Sequence, residues 1–129
     1  MSDKNLKTLE IEANEDTPYM LLDSEKLFCK IEGPSYPENA IGTFTPVVNW
    51  LKSLGNVFSN TLVLEFSFTI LSSASHKVIF KILSQLNMLY DRGNKIKIIW
   101  KYDKQDDDMI ESGEDFQSAI DIPFLFLEK

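Results

Sequence analysis

The stretch LVLEFSFTILSSASHK, running from Leu62 to Lys77, decides how the chain folds. In its first half, Leu62, Leu64, Phe66 and Phe68 alternate with Val63, Glu65, Ser67 and Thr69. A period of two sets one apolar face of a strand against a core. Beyond it, Val78, Ile79, Ile82, Leu83, Leu86 and Tyr90 recur at steps of three and four, the stripe of an amphipathic helix. Ser72, Ser73 and Ser75 occupy the handover, with neither Gly nor Pro among them. A helix start leaves backbone N–H groups unpaired, and serine hydroxyls are well suited to cap them.

Downstream, Asp91-Arg92-Gly93-Asn94 reads as a turn. Ile96, Ile98, Trp100 and Tyr102 then alternate with Lys97, Ile99 and Lys101 as a second strand. Strand, helix and strand in this order make a βαβ unit, which implies a parallel pair with a right-handed crossover. Asp106 to Ile120 follows as a helix, with acids in its first turn and Met109, Ile110, Gly113 and Phe116 along one side. Ile122 to Leu127 reads as a short last strand or a packed tail.

Upstream, Leu6 to Ile11 reads as a first strand, and Asn14 to Pro18 as a polar break. Tyr19 to Leu22 and Lys26 to Ile31 form a hairpin around Asp23-Ser24-Glu25, with Cys29 pointing inward. Gly33-Pro34-Ser35-Tyr36-Pro37 closes this antiparallel part. Pro37 and Glu38 suit the start of a helix. Its stripe is Ile41, Phe44, Val47, Val48, Leu51 and Leu54, and Gly55 is its stop. Pro46 interrupts the pattern. One bent helix is the favoured reading, and a second helix capped by Thr45 is the other. The fold expected is α/β: a mixed sheet with antiparallel N-terminal strands, a C-terminal βαβ unit and about three helices packed on it.

At 129 residues the chain has the size of one domain with a proper core, its first six residues expected to be flexible. Its 43% hydrophobic content and nine Phe argue for a folded globule. A formal charge of -7 argues against nucleic acid and against anionic membrane surfaces. A lone cysteine, Cys29, forms no internal disulfide. The first residues carry no basic, then apolar, signal pattern, and no apolar run approaches the roughly 20 residues of a membrane span. A soluble cytoplasmic protein is expected.

Enzyme chemistry finds few handles. His76 is the single histidine, beside the serines, but no Gly-x-Ser-x-Gly elbow exposes a nucleophile, and a solvent-facing first-turn histidine is the plainer reading. One Cys and one His do not build a zinc cluster, and no metal or cofactor is expected. Counting from Asp103 as an EF-hand loop places Asp108 where glycine is needed. Asp106, Asp107 and Asp108 therefore read as a favourable first helical turn and a solvated surface. The five glycines make no phosphate loop. Trp50 and Trp100 fall on apolar faces and read as core.

Ser72, Ser73 and Ser75 remain. One helix needs one cap, worth about 1 kcal/mol, and here there are three hydroxyls. A phosphate at this position would add about -1.5 to -2 charges where free N–H groups and the helix dipole favour an anion, with Lys77 close by. Such a group would leave the domain folded and alter a surface.

Four strings add a resemblance: SYPENA at 35–40, LEFSFTILSSASHK at 64–77, WKYDKQDDDMIESGEDF at 100–116 and IPF at 122–124. In this order they resemble the SiaC family of bacterial regulatory phosphoproteins over nearly the whole chain. The resemblance implies a fold similar to anti-sigma-factor antagonist (STAS-like) domains. It implies a protein kinase that phosphorylates a hydroxyl at the strand–helix junction and a PP2C-type phosphatase that removes it. It further implies that the unphosphorylated form binds and activates a diguanylate cyclase, and so controls cyclic-di-GMP and biofilm behaviour. The family's junction reads N-T-S-S before a lysine. Aligned on Lys77, its phosphorylated Thr falls on Ser73, with Ser72 and Ser75 as alternatives because this chain reads S-S-A-S. Tyr36, Pro37, Glu38 and Asn39 match the family's YPEN motif. With His76, Lys77, Asp106, Asp107 and Asp108 they are the expected partner-binding residues. A constitutive binding module that uses the acidic surface without phospho-control is the alternative.

Overall fold

The computed structural model describes residues 7–129. The expected flexibility of residues 1–6, and the opening of the first strand at Leu6, lie outside the described residues. Nine elements follow in order: β1 (Leu9–Ile11), β2 (Tyr19–Asp23), β3 (Phe28–Ser35), α1 (Ala40–Ser53), β4 (Leu62–Leu71), α2 (Ser73–Asp91), β5 (Ile96–Tyr102), α3 (Asp107–Ala119) and β6 (Phe124–Glu128). The six strands form one mixed sheet in the order in which they occur in the chain.

β1, β2 and β3 are antiparallel neighbours. The hairpin turn between β2 and β3 is held by the Asp23 carboxylate, which accepts hydrogen bonds from the backbone N–H groups of Glu25 and Lys26 at 3.0 and 3.1 Å. From β3 onward every neighbour is parallel, and each pair is joined through a helix. The chain thus carries three βαβ crossovers where periodicity picked out one.

The reason lies in β3. Gly33-Pro34 reads as a strand breaker, yet the strand runs on to Ser35 against β4, absorbing the irregularity in a register shift between Gly33 and Pro34. β2 has already ended at its pair with Glu32. Proline is tolerated at such a bulge, where no ladder partner on that side needs its missing N–H.

The α1 helix also departs from expectation. It starts at Ala40 with Asn39 as its cap, so Pro37 and Glu38 belong to the preceding loop. Pro46 lies inside a single helix, and the Thr45 hydroxyl donates to the Ile41 carbonyl instead of capping a second one. Ile41, assigned to the apolar stripe by its spacing, is 69% exposed. The final segment is a true strand, β6, paired to β5.

All three helices pack on one face of the sheet and share one core. Leu22, Cys29, Ile31, Leu64, Phe66, Ile98 and Trp100 from the strands meet Phe44, Val47, Ile79, Leu83 and Phe116 from the helices. Each such side chain removed from water contributes about 1.5–3 kcal/mol. Both indoles are core, as expected: Trp50 donates to the Lys7 carbonyl and Trp100 to the Met109 carbonyl, each at 2.9 Å. The opposite sheet face carries paired charges instead, Lys30 with Glu32 and Lys101 with Glu65.

Candidate functional site at the carboxyl ends of the parallel strands

Because β3, β4 and β5 run parallel and each is followed by a helix, the amino ends of α1, α2 and α3 lie at the same end of the sheet. Open α/β sheets characteristically present their binding sites there. All three starts are capped alike. Asn39 accepts from the Gly42 N–H at 2.9 Å, Ser72 from the Ser75 N–H at 3.1 Å and Asp106 from the Met109 N–H at 3.1 Å. The topology therefore gathers the Tyr36–Asn39 loop, the serine junction and the Asp106–Asp108 turn, which the sequence spreads over some seventy residues.

The three serines have separate situations. Ser72 is the cap of α2, half-buried, with its own N–H donating to the Ser35 carbonyl at 2.9 Å. Ser75 is fully buried. Its hydroxyl lies 2.8 Å from that of Ser35 and receives a hydrogen bond from the Ser72 hydroxyl at 3.1 Å. Ser73, the first residue of the helix, is exposed. Its side chain makes no hydrogen bond within the described residues.

A groove of about 460 Å³ opens beside this junction. Its lining joins Glu38 to Ile41 on α1 and its lead-in to Ala74, His76, Lys77, Val78, Phe80 and Lys81 on α2. Ile41 and Phe80, 69% and 43% exposed, give it an apolar character, while Tyr36 and Ile70 add exposed apolar surface at the same end of the sheet. Four expected partner residues, Glu38, Asn39, His76 and Lys77, line the groove. Tyr36 and Pro37 lead into it.

Ile41 was read only as part of the α1 core stripe, and Phe80 and Lys81 were not singled out from the sequence. At helical spacing an apolar residue on the rim of a groove carries the same signal as one in the core. Ser35 was missed because its partner lies forty positions away.

His76 is not the solvent-facing residue its position suggests. It is half-buried, its ring stacked on that of Phe116 from α3 at 4.3 Å and 27°. The imidazole makes no hydrogen bond to Ser72, Ser73 or Ser75, so the nucleophile–base geometry of a hydrolase is not built here. Asp106 spends its carboxylate on the α3 cap, whereas Asp107 and Asp108 are exposed in the first turn. Among the described residues no group of three or more His, Cys, Asp or Glu could hold a metal ion. No helix among them is long and apolar enough to cross a membrane. Burial pushes the Cys29 thiol well above its usual range, with the Asp23 charge adding to the shift.

The groove and the three capped helix starts around it have the form of a recognition surface, as in regulatory binding proteins. The sequence matches the model of the SiaC family of regulatory phosphoproteins over residues 11–129, and the chain belongs to that family. An uncharacterized protein of Pseudomonas aeruginosa strain UCBPP-PA14 is 26% identical over 119 residues, covering 92% of this chain and 94% of that one. The crystal structure of apo-SiaC from Pseudomonas aeruginosa superposes with a TM-score of 0.84 at 27% identity, covering 94% of this chain and 98% of that one. The crystal structure of the diguanylate cyclase SiaD in complex with its activator SiaC, also from Pseudomonas aeruginosa, matches with a TM-score of 0.87 at 26% identity. That match covers 94% of this chain and 99% of the matched chain.

Proposed function

We propose that this chain is a single regulatory domain acting in the cytoplasm as a phosphorylation-controlled switch. A protein kinase modifies Ser73, a PP2C-type phosphatase reverses the modification, and the unmodified form binds and activates a diguanylate cyclase. The relative that activates the cyclase SiaD supports the effector class. Through it the switch would govern cyclic-di-GMP and biofilm behaviour.

One observation carries the choice of Ser73. Of the three junction serines it alone is exposed, while Ser72 is committed as a cap and Ser75 is sealed in the core. A phosphate on the first residue of α2 lies within the field of the helix's unpaired N–H groups. It adds about -1.5 to -2 charges to the edge of the groove without displacing a buried contact.

The test is intact-mass measurement after incubation with the cognate kinase, followed by peptide mapping. A single species heavier by about 80 Da, the mass of one phosphoryl group, that maps to Ser73 and vanishes in Ser73→Ala is expected. Ser73→Ala should retain cyclase binding, and the phosphorylated wild type should lose it by about 5–150-fold. Phosphate that maps outside residues 72–75, or no uptake at all, would refute the reading.

A further inference from the structure

A second opening lies between α1 and α2, at the far end of the helix pair from the serine junction. The groove beside Ser73 is lined by the amino-terminal parts of the two helices, whereas this cavity is lined by residues between 48 and 56 and between 82 and 89. Its volume is about 230 Å³. The buried Leu51, Ile82 and Leu86 and the half-buried Val48 and Leu89 give it an apolar interior. Lys52, Asn56 and Gln85 stand exposed around it. Among the described residues that line the cavity, Lys52 alone is charged. The ion pairs among the described residues, Lys30 with Glu32 and Lys101 with Glu65, do not use it.

A residue outside the cavity holds it in shape. Asn94 is 7% exposed, and its side-chain amide donates to the carbonyls of Asn56 and Leu89, each at 2.9 Å. Its side-chain oxygen accepts from the Phe58 N–H at 3.0 Å. These bonds tie the loop after α1 to the end of α2. Gly55 turns that loop at a φ of 76°, and a Cβ added there would meet nothing within 4 Å, so the space beside it stays open. A cavity fixed in this way is formed before any guest arrives, which lowers the cost of binding.

We infer that this cavity binds a small monocarboxylate with an apolar body of about six to ten carbons. The body lies on Leu51, Ile82 and Leu86, and the carboxylate meets the Lys52 ammonium. Size sets the first limit. A cavity of about 150 Å³ holds benzene, and drug-sized ligands take about 300–1,000 Å³, so this one suits a short chain or a single ring and is too small for a nucleotide. Charge sets the second. One ammonium matches one carboxylate, whereas a phosphate group brings about -1.5 to -2 charges. The Gln85 amide can donate a further hydrogen bond to the same carboxylate. The site lies away from Ser73 and needs no covalent modification. It gives the domain a small-molecule input that stands independently of the function proposed above.

The experiment titrates the isotope-labelled full chain with sodium octanoate and with octylammonium chloride, two guests alike in body and opposite in charge, and follows the backbone amides by NMR. Octanoate should saturate with a dissociation constant of about 1 mM or tighter, moving amides within residues 48–56 and 82–89. Octylammonium should bind the wild type about tenfold more weakly. Lys52→Glu should reverse that order, and Gln85→Trp should weaken both guests about tenfold by filling the space. Both positions are exposed, so both variants should fold, which circular dichroism checks. No saturable shift with octanoate overturns the inference. So do shifts centred on Ile41 and Phe80 at the other end of the helices, or an unchanged order of the two guests in Lys52→Glu. Phosphate uptake at Ser73 is measured separately, so failure here leaves the switch reading standing.

Discussion

Replacing Ser75 by alanine tests whether the hydroxyls beneath the junction act as one unit. Ser75 is fully buried, as is Ser35, and the two oxygens are 2.8 Å apart. Ser75→Ala removes one partner and strands the Ser35 hydroxyl in the core, where no other side-chain partner among the described residues reaches it. Leaving a buried polar group unpaired costs about 1–3 kcal/mol. Ser35→Ala strands less, because the Ser75 oxygen keeps the Ser72 hydroxyl at 3.1 Å, and about 0.5–1.5 kcal/mol is expected. In the double variant neither orphan exists, so its cost should fall below the sum of the two by about 0.5 kcal/mol or more. Urea unfolding of the four proteins, followed by circular dichroism and analysed by linear extrapolation, measures the coupling. Additivity within about 0.3 kcal/mol would refute the idea that these groups satisfy one another.

Three more outcomes follow from the packing and from the titrating groups. Gly113→Ala should destabilise the chain by about 1–3 kcal/mol in urea, because a Cβ there would meet the Trp100 ring at 2.6 Å and Phe126 at 2.7 Å. The near-ultraviolet circular dichroism of the indole should change with it. Cys29 should ignore Ellman's reagent in the native protein and react at once in urea, since the thiolate is the reactive form and burial disfavours it; reaction of the native protein at pH 8 would contradict the placement. Tyr19 is pushed up to about 12, first by the hydrogen bond it donates to Glu10 and then by its surroundings and the nearby carboxylates. A raised folded value favours the protonated phenol, so its contribution to stability is complete below pH 10 and is lost as pH rises through about 12. Absorbance at 295 nm should show one tyrosinate appearing near pH 12, moved lower by Glu10→Gln.

The elements that the sequence declared most openly were those with a strict period. β4, α2, β5 and α3 stand where alternation and helical spacing placed them, and α3 differs from its expected span only at its two cap residues. The misread elements hinge on residues with two physical uses. Gly33-Pro34 breaks most strands, but a bulge lets β3 continue through it. Pro37 opens many helices, yet the Asn39 side chain reaching the Gly42 N–H fixes the start three residues later. The serine junction was legible because caps leave a local signature. Its inner half was not, since Ser35 and Ser75 meet only after the crossover through α1 brings β3 and β4 side by side. The groove was hidden for the same reason. Ile41 sits at helical spacing like a core residue, and only the folded packing shows that it and Phe80 face outward.

The strictly consecutive order of the sheet also bears on how the molecule comes into being. Each strand finds its neighbour already delivered, so assembly on the ribosome can proceed from first strand to last with no early segment held open for a late one. Chains built that way keep few unpaired edges waiting at any moment, and those waiting edges are where nascent proteins stick to one another. A sheet laid down in chain order thus closes behind the growing chain.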